Sequence, residues 1–101
     1  MEINLETIGS TLVVKLGGEI DQHWASELKS EIDREINLRN INNLIFDFAK
    51  VTFMDSSGIG VIIGRYKQIH ARGGTTMIVR TQPQVDKILE LSGVKKLLEC
   101  S

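Results

Sequence analysis

The run Leu44-Ile45-Phe46-Asp47-Phe48 constrains the fold more than any other stretch of this chain. It is largely apolar, and segments of helical periodicity flank it on both sides. A short strand of that kind belongs at a central position in a sheet. On its N-terminal side, Trp24, Leu28, Ile32 and Ile36 recur at i, i+4, one face of an amphipathic helix with Asp21 as its N-cap. Trp24 reads as a core residue on that face. Asn40, Asn42 and Asn43 mark the helix exit and turn. On the C-terminal side, Lys50 to Met54 leads to a second helix, Ser57 to about Ala71. It carries Ile59, Ile62, Ile63, Tyr66 and Ile69 on one side, and Gly73-Gly74 ends it.

The remaining segments complete the pattern. Ile3 to Thr7 alternates apolar with polar, Gly9-Ser10 is a tight turn signal, and Thr11 to Leu16 reads as a second strand, giving a hairpin. Gly17-Gly18-Glu19-Ile20-Asp21 breaks that strand pattern. Thr75 to Arg80 is the next strand. Pro83 suits the first turn of a third helix, whose buried face is Val85, Ile88, Leu89 and Leu91. Ser92-Gly93 stops it, and Leu97 to Cys100 forms a last short strand. The order β-β-α-β-α-β-α-β predicts an α/β fold in one domain, residues 1–101. Its mixed β-sheet is covered by α-helices, with right-handed crossovers between parallel strands.

Composition narrows the function classes. A formal net charge of −1 and a pI near 6.1 argue against direct nucleic-acid binding, which needs a basic surface. No apolar run approaches the ~20 residues that span a bilayer, and Met1-Glu2-Ile3-Asn4 lacks the features of a signal peptide. The single cysteine, Cys100, fits a reducing cytoplasm and has no site around it. His23 and His70 show no ligand-like spacing with Cys, Asp or Glu, so neither a metal nor a cofactor is expected.

The stretch that carries chemistry is Phe53-Met54-Asp55-Ser56-Ser57-Gly58-Ile59-Gly60. It puts two hydroxyls at a helix entrance, where unpaired N–H groups and the helix dipole favour an oxygen acceptor or an anion. Ser56, at or near the N-cap, can accept one of those N–H bonds. It can equally be a phosphorylation site. Gly58 and Gly60 leave room for another protein's active site to approach, whereas Gly64 fits close helix-on-sheet packing. A nucleophilic enzyme is disfavoured. There is no Gly-x-Ser-x-Gly, no Gly-x-x-x-x-Gly-Lys-Ser/Thr loop, and neither histidine is placed as a base. From the spacing alone, a plain helix cap at Ser56 or Ser57 is the favoured reading, with a modification site as the alternative.

Gly18-Glu19-Ile20-Asp21 together with Asp55-Ser56-Ser57-Gly58 resembles the anti-sigma factor antagonist group of STAS domains, and the likeness is densest from Phe53 to Ile69. The resemblance implies a non-enzyme that switches partners. Unphosphorylated, it would bind an anti-sigma factor that is also a serine kinase, freeing a sporulation sigma factor of the sigma-F type. A general stress-response pathway is the alternative. The kinase would phosphorylate Ser56 using ATP, and a serine phosphatase would reverse this. Asp21, Asp55, Ser57, Gly58 and Gly60 match motif positions near the kinase-binding surface, and Arg65 is assigned to the same surface. Members of this group usually continue into another C-terminal helix, whereas this sequence ends at Ser101.

Overall fold

The computed structural model describes residues 1–100, with the side chains of Glu99 and Cys100 outside that description. The expectation for the Cys100 thiol therefore lies outside the described residues. The elements run β1 (Glu2–Ile8), β2 (Thr11–Ile20), α1 (Gln22–Leu38), β3 (Asn43–Met54), α2 (Ser56–His70), β4 (Thr76–Val79), α3 (Pro83–Leu91), α4 (Val94–Leu97) and β5 (Glu99–Cys100). They build one sheet in the order β1-β2-β3-β4-β5. β1 and β2 form the antiparallel hairpin, and every later pairing is parallel.

Period-two alternation sorts the strands into two faces. Leu12, Val14 and Leu16 of β2, Leu44, Phe46 and Phe48 of β3, and Ile78 of β4 are buried. They share one core with Leu28, Ile32 and Ile36 of α1, Ile59, Ile62 and Ile69 of α2, and Val85 and Leu89 of α3. The intervening residues Val13, Ile45, Met77 and Val79 are only half-buried. Asp47 belongs to that second set yet is 6% exposed. Its carboxylate accepts from Arg80 Nε at 3.1 Å, from Arg80 Nη2, and from the Ala49 N–H at 3.1 Å. These bonds, those from Arg80 foremost, favour the ionised form and hold the Asp47 carboxyl below the usual carboxylate range.

A carboxyl whose pKa is lowered by folding stabilises the fold above its unfolded pKa. That contribution disappears as pH falls through the lower, folded value, so it is lost below about pH 4. Arg80→Ala is expected to move the acid-unfolding midpoint to higher pH, followed by far-UV circular dichroism across pH 2–5. An unmoved midpoint would show that the pair contributes nothing. Alanine is the right replacement because Arg80 sits at φ 59°, and glycine would also relieve that backbone strain.

Several segments differ from the sequence reading. β2 does not stop at Leu16. It runs on through Gly17 and Gly18 to Ile20, with register shifts against β3 between Lys15 and Gly17 and between Gly18 and Glu19. Glycine permits both irregularities: Gly18 lies at φ 91°, and a Cβ on Gly17 would press to 3.3 Å from Lys50 Cβ. Lys50 to Met54 is likewise the second half of β3, paired with this extension. Trp24 is half-buried and edge-on to His23, with centroids 5.1 Å apart, because the buried stripe of α1 begins one turn later at Leu28. Leu91 is 79% exposed, so α3 buries a narrower face than expected. The last strand is shortened to Glu99–Cys100, since Val94–Leu97 forms a helical turn that buries Val94.

Two loops interlock at the end of the sheet opposite the start of α2. The backbone of Asn42 and Asn43 is tied to Ser10 O by N–H bonds of 2.8 and 3.2 Å. Gly74 N donates to Ile69 O at 3.0 Å, Thr75 N to Asn43 Oδ1 at 3.1 Å, and Arg72 Nη1 to Ile41 O at 2.9 Å. Gly74 passes so close to Asn42 that a Cβ there would lie 1.5 Å from the Asn42 carbonyl oxygen.

Candidate functional site

The register of β2 on β3 decides where the two helix N-termini meet. Ile20 stands opposite Met54, so Asp21 and Asp55 leave the sheet side by side, and Asp55 N donates to Ile20 O at 3.2 Å. Each aspartate caps the helix that follows it. Asp21 Oδ1 accepts from His23 N at 3.0 Å; Asp55 Oδ1 accepts from Ser57 N at 2.9 Å and Gly58 N at 3.3 Å. Both helices therefore open at one rim, where N–H groups and the dipoles leave partial positive charge. α1 and α2 then pack against each other.

Asp55 takes the capping position that the sequence reading allowed to Ser56, and α2 begins one residue earlier than expected. Ser56 is its first helical residue and is exposed. The Asp55 carboxylate accepts from the Ser57 and Gly58 N–H groups, and no hydrogen bond among the described residues engages the Ser56 hydroxyl. Around it the rim is acidic, with exposed Glu19 beside half-buried Asp21 and Asp55.

Phe53, opposite Glu19 in the ladder, is 43% exposed three residues before Ser56. It was not among the residues the sequence singled out for the site. The signal was present: once β3 is carried through to a buried Met54, alternation turns the preceding side chain outward.

The other motif residues separate. Ser57 is half-buried and Gly60 exposed, both on the side of α2 that faces α1. Gly58, expected at the partner surface, is buried instead. A Cβ there would lie 2.6 Å from Met54 Cγ and 2.9 Å from Ile20 Cγ2, so its glycine is required by the ends of β2 and β3. Gly64 departs in the opposite sense: a Cβ on it would meet nothing within 4 Å, and the same holds for Gly60. Close packing inside the chain explains neither glycine, although each weakens a helix by about 1 kcal/mol relative to alanine.

Arg65 is also not a free surface residue. It is 7% exposed, and its Nε lies 2.9 Å from Asp33 Oδ1 of α1 without hydrogen-bond alignment. Its buried Nη1 has no hydrogen-bond partner among the described residues. Arg65 lines an open groove between the two helices together with Ser57, Gly60, Val61 and Gly64 of α2 and Ala25, Ser26 and Lys29 of α1. The two histidines are far from acting together. His23 lies in the first turn of α1, while His70 ends α2 and stacks on Tyr66 with centroids 5.4 Å apart.

A family model for the STAS domain matches residues 2–101. The chain belongs to the STAS-domain family. This STAS domain is 35% identical to the anti-sigma F factor antagonist of Paenibacillus polymyxa, over 97% of its own length and 84% of the relative's. Its fold matches the anti-sigma factor antagonist SpoIIAA in its unphosphorylated form with a TM-score of 0.88 at 30% identity, covering 99% of this chain and 88% of that one. The phosphorylated form of the Bacillus cell fate determinant SpoIIAA matches at 0.79 and 29% identity, over 99% of this chain and 91% of that one. No helix among the described residues is long and apolar enough to cross a membrane.

Proposed function

We propose that this STAS domain is an anti-sigma factor antagonist of the sigma-F type, controlled by phosphorylation of Ser56. Unphosphorylated, it binds an anti-sigma factor that is also a serine kinase, and the sigma factor is displaced. The kinase then aligns the γ-phosphoryl group of its ATP with the Ser56 hydroxyl. Ser56 Oγ bonds to the γ-phosphorus, the bond to the bridging oxygen breaks, ADP leaves, and the hydroxyl proton passes to a base on the kinase. A serine phosphatase hydrolyses the phosphoserine and restores the binding form. The domain contributes a nucleophile and a docking surface, and no catalytic group of its own. Its partner, an anti-sigma factor, works where the sigma factor does, so the domain acts in the cytoplasm.

One observation carries this reading: Ser56 is exposed at the first position of α2 with its hydroxyl unused, because Asp55 caps the helix in its place. A relative solved in both unphosphorylated and phosphorylated forms supports it. The surface that meets the kinase includes Asp21, Asp55, Ser57 and Gly60 around Ser56. Gly58 shapes that rim from inside.

The test is competitive release of a labelled sigma factor from its anti-sigma kinase, run in parallel with a sigma-F-type and a sigma-B-type kinase. Ser56→Ala is expected to release the sigma-F-type factor stoichiometrically and to keep it released in the presence of Mg-ATP. Wild type should release it only until ATP is supplied. Release from the sigma-B-type kinase alone would move the domain to a stress-response pathway. Release from neither would end the antagonist reading.

A further inference from the structure

We propose that the groove between α1 and α2 seats an acidic segment of the protein partner, with one of its carboxylates bound by Arg65 and Lys29. The proposal rests on the reading of the domain as an antagonist, and it extends the docking surface from the Ser56 rim along the flank of α2.

Two independent observations point the same way. The first is the pair of glycines. Gly60 and Gly64 lie one turn apart on the groove side of α2, and side chains at either position would meet nothing in the chain itself. Glycines that the fold does not need, and that weaken the helix, are explained by something outside that comes close to its backbone. The second is Arg65. Its side chain is about nine-tenths buried, it lines the groove, and its Nη1 has no acceptor among the described residues. A guanidinium carries five donors, and buried donors left unmatched are unfavourable until an acceptor arrives.

Charge selects the acceptor. Lys29 is exposed on the groove wall with no ion pair among the described residues, and Arg65 faces the single carboxylate of Asp33. The groove is net positive, while the neighbouring rim of Glu19, Asp21 and Asp55 is net negative. A partner that fits both has a carboxylate over the groove and no excess of acid over the rim. That arrangement fixes its orientation on the domain and presents Ser56 to its nucleotide. The groove begins at Ser57, directly beside Ser56, so one partner can cover both regions.

The experiment is calorimetric titration of the ADP-loaded anti-sigma kinase into wild type, Gly64→Ala, Gly64→Leu and Lys29→Glu, with thermal melts of each domain alone. Gly64→Ala is expected to raise the melting midpoint by roughly 4–8 °C, since it removes a helix-weakening glycine from an open position. Gly64→Leu fills the groove and should weaken kinase binding at least tenfold in a domain that still melts cooperatively. Lys29→Glu should weaken it about tenfold, and an Asp or Glu to Lys change in the kinase should recover that loss. In the complex, the Arg65 side-chain Nε–H resonance should shift.

Wild type that binds the kinase, with Gly64→Leu and Lys29→Glu binding as tightly, overturns the groove and leaves the antagonist reading intact. A lower melting midpoint for Gly64→Ala means the chain itself needs that glycine, which also overturns the proposal. Inorganic phosphate or ATP that shifts the Arg65 resonance without kinase, while the variants bind kinase normally, assigns the groove to a small anion instead. A wild type that neither binds nor is phosphorylated by the kinase removes the functional reading and the occupant together.

Discussion

Phosphorylated on Ser56, the domain is expected to bind its anti-sigma kinase several-hundred-fold more weakly than the unmodified protein, with its fold unchanged. The phosphate adds about −1.5 to −2 charges at pH 7. It sits at the start of α2, where the helix dipole stabilises an anion by roughly 0.3–1 kcal/mol, so the domain itself tolerates it. The partner does not. Glu19 and Asp21 already make this rim acidic, Asp55 caps the helix with its carboxylate, and a fitted surface would have to bury or displace a hydrated dianion beside them. A loss of about 3–4 kcal/mol corresponds to a factor of roughly 150–900 in affinity.

Because the Ser56 hydroxyl has no partner in the described chain, modification breaks no internal bond and asks for no rearrangement. Calorimetry on the two forms gives the affinity ratio, and backbone amide shifts give the extent of change. A ratio below about tenfold would remove the electrostatic and steric account. Amide shifts spread across the whole sheet would replace it with a conformational one.

The second large effect concerns the fold. Gly74→Ala is expected to destabilise the domain by at least ~3 kcal/mol, lowering its melting midpoint by roughly 12–24 °C. The new Cβ would sit 1.5 Å from Asn42 O, 2.7 Å from the Asn42 carbonyl carbon and 2.9 Å from Ile69 Cγ2. Two of those three atoms are backbone, and that backbone is held by the Asn42 and Asn43 bonds to Ser10 O. Relief requires one of the interlocked loops to move and those bonds to lengthen. The same chemical change at Gly64 is expected to have the opposite sign, since nothing occupies the space there. Urea unfolding of both variants tests the contrast directly. A Gly74→Ala domain within 1 kcal/mol of wild type would mean the loops separate easily.

These two glycines illustrate what could be read from the sequence. Gly73-Gly74 was legible as a helix end, and Gly73 at φ 78° follows α2 as the turn requires. The reason for Gly74 was not legible, because it depends on where Asn42, distant in sequence, carries its carbonyl. Apart from the short α4, the element order followed from periodicity, as did the buried stripe of α1 at Leu28, Ile32 and Ile36, and the Asp21 cap followed from its residue type. The continuation of β2 through Gly17 and Gly18 did not, since bulges break the two-residue alternation that signals a strand.

At the site, the motif located the entrance of α2, but propensity could not say which of Asp55 and Ser56 caps it. Both residue types are strong N-caps, and the register of β3 decides in favour of Asp55. Arg65 was placed on the surface by its position in the motif. Its burial against Asp33 depends on the packing of α1 on α2, which single-helix patterns do not encode.

Intact and peptide mass spectrometry of the domain after incubation with the anti-sigma kinase and Mg-ATP, with Ser56→Ala alongside, reads phosphorylation at Ser56 itself. One added phosphate is expected, on Ser56, and none on the variant. Phosphate on Ser57 instead, or wild type left unmodified by a kinase that it binds, would contradict it and leave Ser56 as nothing more than the first residue of a helix.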